Sequence, residues 1–187
     1  LHYHAKRFFA PVALAARILD GKLQLRAVND HHAEVRLGVR IRTLDLLGSL
    51  LGERIAEAHL PPDRAVDVVA IDAPRADDRF YVIDALVDGV ADPSLQVVVF
   101  PDLPKRIDLP VATIAVAAAG EGRFTLSSDA PAFFVRPEAA AHPGHFDDAS
   151  FLLLPGEPRT VTFKPEAGVA MPDVEDIAVQ HLAETWR

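Results

Sequence analysis

The stretch Val35-Arg36-Leu37-Gly38-Val39-Arg40-Ile41-Arg42 decides the fold class. Apolar side chains fall at every second position, with Arg36, Gly38, Arg40 and Arg42 at the others. Successive residues of a strand point to opposite faces, so Val35, Leu37, Val39 and Ile41 mark a face on a core and Arg36, Arg40 and Arg42 a face in water. Leu23, Leu25 and Ala27 alternate with Gln24 and Arg26 in the same way. Further runs cover 66–70, 80–87 and 95–100. Turn chemistry separates them at Asp20-Gly21, Asn29-Asp30, Pro61-Pro62-Asp63, Pro74, Asp88-Gly89 and Asp92-Pro93. Short strands at this spacing predict an antiparallel sandwich.

The pattern breaks at Pro101-Asp102-Leu103-Pro104 and Pro110, then restarts. Ile114 and Val116 precede the turn Gly120-Glu121-Gly122; Phe124 and Leu126 follow it. Apolar runs at 133–135, 151–154, 161–163 and 177–179 continue the series. Pro155-Gly156-Glu157 reads as a hairpin turn or corner. Charge shifts at the same break: residues 1–106 hold 14 basic and 15 acidic side chains, residues 107–187 hold 5 and 12. The expected organisation is all-β, with two tandem β-sandwich domains, 11–104 and 105–187, preceded by a short helix over 1–10. Leu1, Ala5, Phe8 and Phe9 have helical spacing, and Pro11 ends the turn. Phe8 and Phe9 are expected to lie outside the core of the first sandwich.

Composition narrows the function. The 187 residues carry 19 Lys and Arg against 27 Asp and Glu, a net charge of −8. That balance disfavours a phosphate backbone or an anionic membrane surface as partner, so neither a nucleic acid nor a membrane is expected. No apolar run approaches the ~20 residues of a spanning helix. The absence of cysteine excludes disulfides, thiolate metal sites and a cysteine nucleophile. The chain opens with Leu1, which reads as a removed leader or a piece of something longer.

Two stretches resemble one family. Residues 1–12, LHYHAKRFFAPV, are similar to the junction that follows the catalytic barrel in β-mannosidases of glycoside hydrolase family 2. Residues 144–163, GHFDDASFLLLPGEPRTVTF, resemble the last immunoglobulin-like domain of those enzymes. The resemblance implies that both sandwiches are immunoglobulin-like β-sandwich domains and that the helix over 1–10 is a junction helix. It implies that the chain is the non-catalytic C-terminal scaffold of a retaining β-mannosidase that removes terminal non-reducing β-D-mannose. The two catalytic glutamates of such an enzyme stand on barrel strands, about 5–5.5 Å apart. These strands have no counterpart here, so no catalytic, binding or metal residue and no cofactor is assigned, and this chain alone is not expected to be an enzyme. The expected partner is the barrel itself, by intramolecular contact. The alternatives are a carbohydrate-binding module for mannan and an independent protein-interaction domain. The compartment stays open, with a periplasmic or secreted parent favoured over a cytoplasmic one.

Several groups invite chemistry and have a plainer reading. His142 and His145, beside Asp147 and Asp148, have the composition of a divalent-metal site, but Pro143 and Gly144 read as a polar turn. His31-His32 read as a solvated loop, and His2 and His4 as junction residues. Asp77-Asp78 and Asp147-Asp148 are candidate acid and base pairs that loop solvation explains more cheaply. Gly120-Glu121-Gly122 lacks the lysine of a phosphate loop, and Ser49, Ser94, Ser127, Ser128 and Ser150 lack a nucleophile elbow. Trp186, Tyr3 and Tyr81 are a thin stock for stacking sugars. Of Phe133 and Phe134, adjacent on one strand, one must face outward unless something covers it.

Overall fold

The computed structural model describes residues 7 and 9–185. The chain divides into two compact units, Leu1–Asp108 and Leu109–Arg187. Both are built from antiparallel strands and short 3-10 turns.

In the first unit, β1 (Val12–Leu19), β2 (Lys22–Asn29) and β5 (Arg64–Asp72) form one sheet in the order β1-β2-β5. The second sheet runs β4-β3-β6, from β3 (Val35–Asp45), β4 (Leu50–Leu60) and β6 (Arg79–Val87). The short strands β7 (Val90–Ala91) and β8 (Val97–Val99) both pair with β6. Alternation does what the sequence requires: Leu23, Leu25 and Ala27 of one sheet meet Val35, Leu37, Val39, Ile41, Tyr81 and Ile83 of the other in a single core. Each fully buried Leu, Ile or Val contributes roughly 1.5–3 kcal/mol by removal from water. Asp20-Gly21 joins β1 to β2, and Asp88-Gly89 joins β6 to β7. All four residues have positive φ (51° and 69°, 50° and 82°), so both are two-residue turns whose twist matches the paired strands.

Arg42 departs from the alternation. It points to the polar side of β3 yet is only 6% exposed, and its Nη2 lies 2.9 Å from Asp84 Oδ2 on β6. Asp84 also accepts a bond from Gln96 Nε2 at 2.8 Å. A guanidinium removed from water needs such a partner.

The second unit contains β9 (Ile114–Ala118), β10 (Arg123–Ser128), β11 (Ala132–Glu138), β12 (Gly144–Phe146), β13 (Phe151–Leu153), β14 (Arg159–Pro165) and β15 (Ala178–Gln180). Its sheets run β12-β14-β10-β9 and β13-β11-β15. Phe124, Leu126, Phe146, Val161 and Phe163 from the first face Ala132, Val135, Phe151 and Leu153 from the second. Phe146 meets Phe163 and Phe124 edge-on, with ring centres 5.2 and 6.2 Å apart, the arrangement aromatic quadrupoles prefer. Pro155-Gly156 is a corner between the sheets: the Glu157 amide donates to the Leu154 carbonyl, and Gly156 supplies the positive φ of a type II turn.

One expectation changes. The predicted junction helix is not supported by any α-helix among the elements; residues 1–6 and Phe8 of its span lie outside the described residues, and Arg7 alone has helical backbone within it. Phe9 is described and is 87% exposed. In β11 the alternation fails at a bulge, where Phe133 and Phe134 together oppose Leu152. Phe134 takes φ 53° and stays partly exposed, while Phe133 is buried. One of the adjacent pair thus faces outward, as expected, and the extra residue of the bulge accompanies the positive φ of that position.

Candidate functional site

The segment His142–Asp148 runs from a turn through β12 into the connection that leads to β13 in the second unit. Its glycine is dictated by space: a Cβ on Gly144 would stand 2.5 Å from Phe163 Cζ and 2.6 Å from the Lys164 carbonyl oxygen. The close approach of β12 to β14 allows no side chain there.

The segment does not gather its polar side chains on one point. His142 Nδ1 lies 3.1 Å from the Ala170 carbonyl and Nε2 lies 3.1 Å from Asp176 Oδ2, so each ring nitrogen already faces an acceptor of the protein. His145 is exposed on β12. Asp147 exchanges two 2.8 Å bonds with the backbone of Thr162, accepting at Oδ1 and donating from its amide. Asp148 accepts the Ala149 amide at 2.9 Å and Arg159 Nη2 at 2.6 Å. These carboxylates act as braces between β12, β13 and β14. Among the described residues no group of three or more His, Asp and Glu side chains is placed to hold a metal ion.

The remaining candidates stay apart from one another. His31 and His32 are exposed; His31 donates its amide to Asn29 Oδ1, and His32 lies 3.8 Å from Asp63. Asp78 binds Arg79 at 2.7 Å, and that bond holds its carboxyl below the usual range. Ser94 Oγ donates to Asp92. Gly120 and Gly122 close the β9–β10 hairpin, with the Arg123 amide on the Gly120 carbonyl. Tyr81 is a core residue whose phenol is pushed up by burial. His2, Tyr3, His4 and Trp186 lie outside the described residues.

Three buried polar residues escaped the sequence reading. Asn29, fully buried, donates from Nδ2 to the carbonyls of Ala33 and Leu60, both at 2.9 Å, and so closes the end of the first unit. Arg42 is the second. His181 is the third: 3% exposed, with neither ring nitrogen hydrogen-bonded and Nε2 3.9 Å from Glu184. An Asn before an Asp reads as a turn, and nothing local marks it as an anchor.

A concavity of the first unit, roughly 700 Å³, lies on the polar face of β3, β4 and β6. Gly38 forms its floor between Ile55 and Leu86, with Arg36, Arg40, Glu57 and the Glu34–His59 pair on its walls. No Phe, Tyr or Trp lines it; Arg40 pairs with Glu53 on β4, and the Asp88 carboxylate accepts the Arg36 backbone amide at 2.9 Å.

The geometry therefore supplies sandwiches braced by charge and no reaction centre among these candidates. An Ig-fold domain family of mannosidases matches residues 107–185. That segment is similar to the Ig-fold domain of mannosidases. Solved structures agree at the level of fold. The β-D-mannosidase from Dictyoglomus thermophilum matches with a TM-score of 0.77 and 19% identity, over 96% of this chain and 22% of that one. The exo-chitosanase from Amycolatopsis orientalis matches with a TM-score of 0.64 and 17% identity, over 96% of this chain and 26% of that one. The chain thus spans about a quarter of the enzymes it is similar to. No curated protein sequence matches it.

Proposed function

We propose that this chain is the non-catalytic C-terminal scaffold of a β-mannosidase-like glycoside hydrolase of family 2. The observation that carries the reading is the match of residues 107–185 to the mannosidase Ig-fold domain. The fold likeness to a β-D-mannosidase across both units supports it. In this reading the catalytic carboxylate pair lies elsewhere on the parent polypeptide, which acts on terminal β-mannose by the retaining route and needs those groups about 5–5.5 Å apart. The side chains described here hold strands: Asp147 and Asp148 are committed to Thr162, Ala149 and Arg159.

The test compares this chain with the full-length product of its gene on an aryl β-mannoside. This chain is expected to be inactive, and the longer protein to release mannose with retained configuration. Turnover that copurifies with the 187-residue chain overturns the reading. Saturable binding of mannobiose or mannan to this chain assigns it instead to carbohydrate targeting.

A further inference from the structure

The β3–β4 hairpin ends in Leu44-Asp45-Leu46-Leu47-Gly48-Ser49-Leu50-Leu51. Leu44 is buried, but Leu47, Leu50 and Leu51 are 70%, 54% and 53% exposed. Three leucines within five residues project from one tip. The tip is stiff. Asp45 Oδ1 accepts the amides of Leu47 at 2.9 Å and Ser49 at 2.7 Å, and the Asp45 amide and carbonyl bond Ser49 and Gly48. Charge surrounds it: Glu53 and Arg54 follow on β4, and the Asp78–Arg79 pair stands beside Asp45 at the start of β6. An apolar centre with a charged margin, on a loop already held in one conformation, is the anatomy of a protein contact that costs little ordering entropy.

We propose that this leucine tip docks on the portion of the same hydrolase polypeptide that carries the catalytic domain. The inference rests on the function proposed above and adds the surface that makes the contact. The similar enzymes are about four times longer than this chain, so most of their surface lies outside it. A tethered partner meets the tip at an effective concentration in the millimolar range, where a small apolar contact suffices. A second copy of the chain would need about 800 Å² from each partner, more than three leucines provide.

Hydroxyl-radical footprinting of this chain and of the full-length gene product tests the docking. Labelling of Leu47, Leu50 and Leu51 is expected to fall several-fold in the longer protein, at any protein concentration. Leu47→Ser combined with Leu51→Ser is expected to lower the melting temperature of the longer protein and leave that of this chain unchanged. Equal labelling in both proteins overturns the proposal. So does protection that arises in this chain alone as concentration rises, which assigns the tip to a second copy. Mannosidase activity of the longer protein is read in parallel. Activity with an exposed tip removes only the docking; a protected tip without activity removes the hydrolase reading and leaves the docking in place.

Discussion

The guanidinium of Arg159 lies 4.7 Å above the centre of the Phe151 ring. The same group reaches Asp148 Oδ2 at 2.6 Å, and both partners are less than a quarter exposed. One cation thus ties β14 to β13 across the Pro155-Gly156 corner. A charge-assisted hydrogen bond contributes about 1.5–3 kcal/mol, and a partly desolvated cation over a ring about 1. Arg159→Ala is expected to destabilise the second unit by about 2–3 kcal/mol in urea melts. Arg159→Lys, which keeps the charge and loses the planar fork, should fall between. A wild-type midpoint for Arg159→Ala would show that the corner holds without it.

Gly144→Ala tests the close approach of β12 to β14. With the new methyl 2.5 Å from Phe163 and 2.6 Å from a carbonyl oxygen, the strands must part. Overpacking of this kind costs about 1–3 kcal/mol. Gly156→Ala at the corner meets no neighbour, and its cost comes from positive φ alone. Chemical denaturation of the two variants separates steric from conformational strain; an unchanged Gly144→Ala midpoint would contradict the packing described.

Acid should unfold the chain in part through capped aspartates. The Ser49 amide holds the Asp45 carboxyl below its usual range, the Thr113 amide does so for Asp129, and the Leu103 amide, then Arg75, for Asp102. A lowered folded value means the unfolded chain binds more protons, so stability rises with pH there. The contribution is complete above the ordinary carboxylate value of about 3.9 and is lost as pH falls through the lower folded values. Asp45→Asn and Asp129→Asn are expected to flatten the fall in urea midpoint between about pH 5 and pH 2. Parallel acid limbs for wild type and both variants would refute the assignment.

Metal should leave the fold untouched. Both nitrogens of His142 are engaged by Ala170 and Asp176, and His145 stands apart on β12. Neither EDTA nor zinc is expected to move the melting temperature. A bound ion at a hundredfold excess over Kd would add about 2.7 kcal/mol, an upward shift of many degrees that calorimetry would register.

Much of the fold was legible from residue order because period two and turn chemistry are local. Val35 to Ile41, Asp20-Gly21 and Pro155-Gly156 declare their roles within a few residues. What escaped depends on distant partners. His142 meets Asp176, 34 positions on, and Asn29 meets Leu60, 31 positions on, only after the loops are brought together. The bulge at Phe133-Phe134 escaped because an added residue breaks the very period used to read the strand.

The pairing of buried Arg42 with half-buried Asp84 has a consequence for how the strands find each other. A slip of β3 against β6 by two residues would leave Val35, Leu37, Val39 and Ile41 facing the same side, so burial of apolar surface barely distinguishes it from the native alignment. The charges do. In one direction Arg42 moves from its place opposite Val82 to one opposite Phe80, leaving guanidinium and carboxylate stranded apart. In either direction the two bonds between Asp88 and the Arg36 backbone, 2.9 and 2.8 Å, are severed. The hydrophobic residues choose the face, and these ionised groups proofread the alignment.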